Sequence, residues 1–251
     1  MLIQKLNRLI AVPRHVVAWS YSSVYLPSLV LSCMALPAER RASWGPSLVR
    51  TWGRTMSTIS GVGIRVTDRA KQTLSNREPR ILTFNHSSSL DLLVGAAVLP
   101  EGGVLNVKEE LRSMPLIGAA CSALGSVFLE RTNRDRAYAA LEKVAERIHR
   151  EDLQIMIAPE GTRSDDGNLG RFKLGAFRIA QIARVPIVPI VMHGHARIWP
   201  RGQLAPNLGT AVVDVLEPTM LQADENLSEA ALSLQNRYQQ ALAAGPEEMR
   251  A

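Results

Sequence analysis

The sequence predicts an α/β protein whose mixed, largely parallel sheet is covered by helices on both faces and follows an amphipathic helical arm. From about residue 61, short apolar runs alternate with segments of helical periodicity, which is typical of an α/β chain. Before that point, residues 16–38 carry no charged side chain, and residues 44–59 hold an apolar stripe at helical spacing. We therefore expect a helical arm over residues 1–60 and an α/β domain over residues 61–251.

The composition fits a globular protein with a substantial core. Apolar residues make up 46% of the 251 residues and charged residues 21%, and both shares are ordinary for a globular chain. Cys33 and Cys121 are isolated, and no Cys/His spacing resembles a zinc site. A disulfide framework and a zinc site are therefore not expected.

The positive charge of the chain is concentrated in the arm. Residues 1–60 hold seven basic side chains and one acidic side chain, a net charge of +6, whereas the remaining residues hold 22 of each sign. Three of the four tryptophans, Trp19, Trp44 and Trp52, lie there too. Basic residues mixed with tryptophan and aliphatic residues are typical of a segment at an anionic membrane surface, so we expect membrane association, on the cytoplasmic face of the inner membrane.

Three segments make up the arm. Residues 2–14 have helical apolar spacing, and residues 16–38 are long enough to span a bilayer. Several serines and Pro27 interrupt the second segment, so a shallow or re-entrant helix pair is an equal alternative, and a cleaved signal peptide is disfavoured by its length. Residues 44–59, with Arg50 and Arg54 between the apolar positions, predict a basic amphipathic helix, either docked on the membrane or packed on the core.

The α/β domain contains seven apolar runs of strand length and four helical segments. The strands are expected at residues 64–66, 81–84, 104–107, 126–129, 153–158, 187–192 and 211–216, and the helices at residues 90–99, 135–150, 174–183 and 228–242. Pro189 falls inside the sixth strand. Because proline lacks the N–H that a sheet ladder uses, we expect an edge strand or a bulge there.

The first strand-to-helix junction with reactive side chains contains His86 and Asp91. On one regular helix, or on one strand, these two side chains would point apart. They meet only if the chain turns between them, and the three intervening serines supply that turn, with Ser88 as the helix cap. The alternative interpretation is a capping box in which Asp91 only stabilises the helix and His86 is structural.

Two arginines follow other predicted strands. Arg131 comes after the strand at 126–129, and Arg163 lies in Pro159-Glu-Gly-Thr-Arg-Ser164, directly after the strand at 153–158. Ligands of open α/β sheets gather where strands end. The two guanidinium groups, with the N–H groups of Gly161 and Thr162, could therefore hold a phosphate; singly, each arginine is more often solvated or salt-bridged.

Taken in order, these blocks resemble the glycerophospholipid acyltransferases, in particular the bacterial 1-acyl-glycerol-3-phosphate acyltransferases. Asn85-His-Ser-Ser-Ser-Leu-Asp91 matches the Asn-His-x4-Asp block. The second block is matched by Gly125, Phe128 and Arg131, the third by residues 159–164 with Ala158 in place of the usual Phe, and the fourth by Val185-Pro-Ile-Val-Pro-Ile190. The resemblance covers roughly residues 60–220.

The resemblance implies acyl transfer from a thioester, acyl-CoA or acyl-carrier protein, to the sn-2 hydroxyl of 1-acyl-sn-glycerol 3-phosphate. His86 would be the general base and Asp91 its partner, without a covalent enzyme intermediate. The head group would be held by a set of residues in the second and third blocks and one lysine: Arg131, Glu160, Gly161, Thr162, Arg163 and Lys108. No metal or redox cofactor is implied. The alternative acceptor is another lyso-lipid, such as lyso-ornithine lipid.

Other classes of function fit the sequence less well. A serine hydrolase of the nucleophile-elbow type needs Gly-x-Ser-x-Gly, which does not occur here. A nucleic-acid partner is not expected, because the basic excess lies in a tryptophan-rich apolar arm. The expected partners are therefore the acyl donor, the lysophospholipid and an anionic membrane surface. His193 and His195, which follow the fourth block, are interpreted as structural.

Overall fold

A computed structural model describes residues 2–114, 117–129, 134–164 and 167–246. Two long helices come first, and strands and helices then alternate to the end of the described chain. The elements in chain order are α1 (Leu2–Ala35), α2 (Ala38–Ile59), β1 (Val62–Val66), α3 (Asp68–Ser75), β2 (Arg80–Phe84), α4 (Leu90–Ala97), β3 (Gly103–Lys108), a 3₁₀ turn (Glu109–Ser113), α5 (Ile117–Ala123), β4 (Val127–Leu129), α6 (Arg134–Arg150), β5 (Gln154–Ile157), α7 (Gly175–Ala183), β6 (Ile187–His193), α8 (His195–Ile198), β7 (Gly209–Val215) and α9 (Leu227–Ala244).

The seven strands form one sheet in the order β1-β7-β6-β2-β5-β3-β4. Every neighbouring pair is parallel except β6 and β7, which are antiparallel. The predicted mixed, largely parallel sheet is therefore confirmed. Because β2, β5 and β6 are adjacent and parallel, the loops that follow β2, β5 and β6 emerge at the same edge, and this edge carries the site.

Helices cover both faces of the sheet, as predicted. Successive side chains of a strand point to opposite faces, and β2 shows this directly: Ile81 joins the core beneath α6, α7 and α9, whereas Leu82 joins the core beneath α2 and α4. Each of these two side chains is fully buried. The unbroken apolar run of β2 is thus explained by burial on both faces, which is usual for parallel sheets.

The edge strand predicted as one alternative at Pro189 is wrong, because β6 lies inside the sheet between β2 and β7. The other alternative, a bulge, agrees with the pairing, since the register moves by one residue between the Ile190–Val215 pair and the isolated Ile187–Thr219 bridge. Pro189 pairs with Thr83 on one side and stands where the pairing with β7 begins, next to the Ile190–Val215 pair. On the β7 side its carbonyl oxygen accepts from the Leu216 N–H at 2.9 Å. The ladder therefore needs an acceptor from this residue and no donor, so proline is tolerated.

The apolar stripe of α2 packs on the protein core rather than on a membrane. Trp52 and Met56 are buried among residues of α4, and the indole N–H of Trp52 donates to Ser22 Oγ at 2.9 Å. At Gly53 the helices approach so closely that an added Cβ would lie 2.5 Å from the backbone nitrogen of Ala97. The membrane-docking interpretation of this stripe is thus corrected, and of the stripe only Trp44 is largely exposed, at 59%.

The surface-exposed apolar face of the arm lies on α1 instead. The uncharged run forms a continuous helix through Pro27 as far as Ala35, without the internal break of a re-entrant pair. Its segment Ile10–Ala35 is long and apolar enough to cross a membrane, and only about a fifth of the most apolar window is buried. Its exposed apolar side chains include Val16, Val17, Trp19, Val24, Leu31 and Met34.

Candidate active site

The loop after β2 is fixed from two sides by backbone contacts. The Asn85 side chain donates to the Met192 carbonyl at 3.0 Å and accepts from the Met192 N–H at 2.8 Å, so it is clamped to β6. On the other side, the His86 N–H donates to Glu160 Oε1 at 2.5 Å. The His86 carbonyl in turn accepts from the Ser164 N–H. The imidazole is therefore carried by a loop held between β6 and the loop after β5.

His86 and Asp91 meet, as the sequence predicted. The His86 Nδ1–H donates to Asp91 Oδ2 at 2.9 Å, and the Asp91 side chain is fully buried while that of His86 is 27% exposed. With its proton on Nδ1, the neutral ring leaves Nε2 unprotonated, and Nε2 has no protein partner within the described ranges. An unprotonated nitrogen at the mouth of a cavity is what a general base requires.

The hydrogen bonds of the alternative interpretation, in which Asp91 caps the helix, are also present. Its Oδ2 accepts from the Ser88 N–H at 2.9 Å, while Ser88 Oγ accepts from the Leu90 N–H at 3.1 Å and donates to the Trp199 carbonyl at 2.7 Å. α4 begins at Leu90 with Ser89 as its N-cap, one residue later than the predicted cap Ser88. One carboxylate thus caps the helix and orients the imidazole.

A second histidine, His195, contacts the same carboxylate. Its Nδ1–H donates to Asp91 Oδ1 at 2.6 Å, and the ring is almost fully buried at 1% exposure. From its sequence His195 is predicted to be structural, and this contact is missed because the two residues lie 104 positions apart. The feature of the sequence that could have indicated this contact is the position of His195 just beyond β6, at the sheet edge that also carries His86.

Burial and hydrogen bonding act in opposite directions on the two carboxylates of the site. Burial opposes ionisation of Asp91, but hydrogen bonds from His195 and His86 outweigh it, and the pKa of Asp91 lies below its usual value. For Glu160 burial prevails over the N–H donors of His86 and Gly170, and its pKa is raised. Asp91 is therefore the ionised partner of the histidines.

The predicted head-group residues Glu160 and Gly161 form hydrogen bonds within the loop itself. The two carboxylate oxygens of Glu160 accept from the N–H groups of His86 and Gly170, and the residue is only 3% exposed. The Gly161 N–H donates to the Ala158 carbonyl at 3.1 Å, in a turn where φ is +74°. Both residues shape the loop rather than offer free groups to a ligand.

The remaining predicted head-group residues lie in two places. Thr162 and Arg163 are exposed, and Arg163 Nη1 donates to Ser89 Oγ at 2.5 Å, so the guanidinium lies beside the histidine loop. Lys108, at the end of β3, lines the cavity that His86 also lines. Arg131 lies outside the described residues. The structure thus brings Arg163 and Lys108 to the neighbourhood of His86.

A cavity of about 220 Å³ is lined in part by His86 and Asp91. It runs between α4 and the strands β3 and β5, and its lining is mostly apolar: Phe84, Leu92, Gly95, Ala96, Leu105, Val107, Leu111, Met156 and Ala158, together with His86, Asp91, Asn106, Lys108 and Gly161. In the part of the chain that the structure describes, no group of three His, Cys, Asp or Glu side chains is arranged to hold a metal. The cavity is suited to an apolar group placed next to the His86 imidazole.

Much of this chain is similar to named 1-acyl-sn-glycerol-3-phosphate acyltransferases. Human 1-acyl-sn-glycerol-3-phosphate acyltransferase alpha is 36% identical over 156 residues, covering 62% of this chain and 55% of that protein. The human beta enzyme is 34% identical, and the match covers 68% of this chain and 65% of that protein. The Saccharomyces cerevisiae enzyme is 29% identical, and the match covers 78% of this chain and 63% of that protein. The chain therefore matches between about half and two thirds of the length of these relatives.

A solved structure and a family model also match this chain. The crystal structure of the 1-acyl-sn-glycerophosphate (LPA) acyltransferase PlsC from Thermotoga maritima superposes with a TM-score of 0.76 over 98% of both chains, at 22% identity, and shares the fold. The family model described as Acyltransferase matches residues 65–193, a range that runs from β1 to the end of β6 and contains His86, Asp91 and Arg163. The chain belongs to the acyltransferase family.

Proposed function

We propose that this chain transfers a fatty acyl group from an acyl thioester to the sn-2 hydroxyl of 1-acyl-sn-glycerol 3-phosphate, giving phosphatidic acid. The observation that carries the proposal is the 2.9 Å hydrogen bond between His86 and the buried Asp91 at the mouth of an apolar cavity. The names of the human and yeast relatives support the choice of acceptor. Acyl-CoA and acyl-carrier protein are both donors of the right chemistry.

The reaction follows from the protonation state of the pair. His86 Nε2 removes the proton of the acceptor hydroxyl as its oxygen attacks the thioester carbonyl, and Asp91 stabilises the resulting imidazolium. The tetrahedral intermediate then collapses: the C–S bond breaks, the ester C–O bond remains, and the proton on Nε2 passes to the leaving thiolate. No acyl-enzyme is formed, and no metal or redox cofactor takes part.

The head group of the acceptor is assigned to cations beside the histidine loop. Arg163 offers a guanidinium fork next to Ser89, and Lys108 lies across the cavity; Arg131 and the backbone of Thr162 complete the proposed phosphate site. A planar fork binds two phosphate oxygens at once, which a lysine ammonium does not reproduce. In this proposal Glu160 and Gly161 hold the loop that presents Arg163.

The direct test is an assay of the purified protein against a panel of lyso-lipids. Lysophosphatidic acid and lyso-ornithine lipid are offered with acyl-CoA or acyl-carrier-protein donors, and products are identified by mass spectrometry. We expect phosphatidic acid as the main product. Preferential acylation of lyso-ornithine lipid would replace the proposed acceptor while keeping the reaction class, and no ester product from any acceptor would overturn the function.

Replacing Arg163 by alanine is expected to raise KM for lysophosphatidic acid about 10-fold or more, because a charge-assisted bidentate contact with phosphate is lost. Arg163→Lys is expected to restore little of it, and Arg131→Ala is tested alongside. Arg65→Ala, an exposed arginine on β1, serves as the matched control and should leave KM unchanged. Wild-type kinetics in both the Arg163 and the Arg131 variants would remove the phosphate assignment and favour lyso-ornithine lipid.

The exposed apolar face of α1 is the proposed membrane contact, on the cytoplasmic side. Val24 and Leu31 are 69% and 68% exposed, and inserting each side chain into lipid would contribute roughly 1.5–3 kcal/mol. The double variant Val24→Glu/Leu31→Glu should therefore bind anionic vesicles at least about 10-fold more weakly in co-sedimentation. A deletion of residues 1–60 is a poorer test, since it also removes α2 from the core.

Leu232→Glu is the control for that experiment, because Leu232 is 59% exposed and lies on α9, which packs on the opposite face of the sheet from α1. It should bind vesicles as the unaltered protein does. If the double variant bound equally well, α1 would not be the membrane contact.

A further inference from the structure

We propose that His195 is a positioning residue of the acyl-transfer site, which holds the Asp91 carboxylate in the orientation that the His86 imidazole requires. The inference rests on the proposed function and extends it to a residue outside the histidine–aspartate block. Its starting point is that two imidazoles share one carboxylate: His195 donates to Oδ1 at 2.6 Å and His86 to Oδ2 at 2.9 Å. The hydrogen bond between His195 and Asp91 is the shorter of the two, and the side chains of both residues are fully buried.

The short helix α8, which begins at His195, and the residue that follows it contact the segment from His86 to Asp91 at two points. Gly194, with φ +83°, turns the chain at the end of β6 so that α8 lies against the start of α4. At the beginning of α8, His195 holds the Asp91 carboxylate, and just after its end the Trp199 carbonyl accepts from Ser88 Oγ at 2.7 Å. The catalytic carboxylate and the cap of its helix are thus fixed by the same short segment.

The carboxylate has a full set of donors only when His195 is present. Oδ2 accepts from the His86 ring and from the Ser88 N–H, whereas Oδ1 accepts from His195. Without His195, Oδ1 would be a buried acceptor with no protein donor from this direction, which is costly for an ionised group. The carboxylate would then rotate about its Cβ–Cγ bond to regain a donor, and the orientation of the His86 ring would be lost with it.

Packing alone does not explain an imidazole at this position. The second ring nitrogen of His195, Nε2, is buried and has no hydrogen-bond partner in the described part of the chain. The ring also lines a second cavity, of about 240 Å³, together with Asn85, Ser87, Glu160 and Arg197. A buried polar nitrogen without a partner is unfavourable, whereas an aliphatic side chain would fill the space without that cost. The contribution that an aliphatic residue cannot make is the Nδ1–H to Asp91.

Three substitutions of His195 distinguish the effect of its Nδ1–H donor from the effect of its side-chain volume. The side-chain amide of asparagine places its nitrogen near the position of Nδ1, and that of glutamine places it near Nε2. His195→Leu removes the Nδ1–H donor and both ring nitrogens while filling the site. We expect His195→Gln and His195→Leu to lower kcat about 10- to 100-fold, the range seen when partners that orient a functional histidine are removed. KM for lysophosphatidic acid should change less than about 2-fold. His195→Asn should recover most of kcat.

The measurements are steady-state kinetics with lysophosphatidic acid and oleoyl-CoA, and thermal unfolding of each variant. Full kcat in His195→Gln and His195→Leu would overturn the inference, as would an equal loss of kcat in His195→Asn and His195→Gln. A purely structural role would instead lower kcat in proportion to the loss of unfolding temperature, without distinguishing asparagine from glutamine. If the unaltered protein acylated no lyso-lipid, the proposed function would fail first, and that outcome is visible before any variant is compared.

Discussion

Replacing His86 by alanine is expected to lower the rate of acyl transfer by at least about 10⁴-fold while the protein stays folded. In the proposed mechanism the imidazole removes the hydroxyl proton, and its side chain is partly exposed rather than part of the core. Its removal therefore eliminates the base without opening a cavity. Turnover is measured by thiol release from acyl-CoA, and folding by thermal unfolding.

Asp91→Asn is expected to cost about 10⁴-fold in turnover as well, because the amide no longer favours the Nδ1–H tautomer of His86 or stabilises the imidazolium. Asp91 also accepts from the Ser88 N–H and from His195. We therefore expect a lower unfolding temperature for Asp91→Asn, in contrast to His86→Ala. This difference separates the two roles of the carboxylate.

His149→Ala is the matched control for both substitutions. His149, near the end of α6, contacts the Ala183 carbonyl and lies outside the site. It should retain turnover. Near-normal activity in His86→Ala would remove the general-base mechanism, whereas comparable losses in His86→Ala and His149→Ala would point to instability rather than chemistry.

Replacing Gly53 by alanine is expected to destabilise the protein by roughly 1–3 kcal/mol or more, the range of overpacking in a filled core. The added Cβ would lie 2.5 Å from the Ala97 nitrogen and 2.6 Å from the Leu93 carbonyl oxygen. Both are backbone atoms of α4, so the two helices must separate. On helix propensity alone, Gly→Ala would stabilise a helix by about 1 kcal/mol, so the sign of the change itself tests the close contact.

Gly175→Ala provides the comparison, because its Cβ would meet nothing within 4 Å at the start of α7. We expect that variant to be neutral or slightly stabilised in urea unfolding. If Gly53→Ala were equally neutral, α2 would not pack on α4, and its apolar stripe would again be available to a membrane.

The local pattern of the sequence was enough to predict the strands and the contact between His86 and Asp91. The apolar run before Asn85 predicted a buried strand, and the three serines after His86 predicted the turn that brings it to Asp91. Both features depend on interactions within about ten residues, so composition and spacing determine them. The order of the family blocks extended the prediction from one motif to the loop after β5, because the ends of parallel strands meet at one edge of the sheet.

Contacts between distant parts of the chain were decided only by the tertiary structure. The apolar stripe of α2 indicates that one face of the helix is buried. It does not indicate whether protein or lipid covers that face, because both remove apolar surface from water. Pro189 lies in an interior strand because of the neighbour that β6 acquires. His195 reaches Asp91, and Glu160 turns inward to the His86 N–H, because the strand order places these loops together. The spacing of apolar residues indicates which side of a helix or strand is buried. Which residues cover that side depends on how the helices and strands are arranged around the sheet.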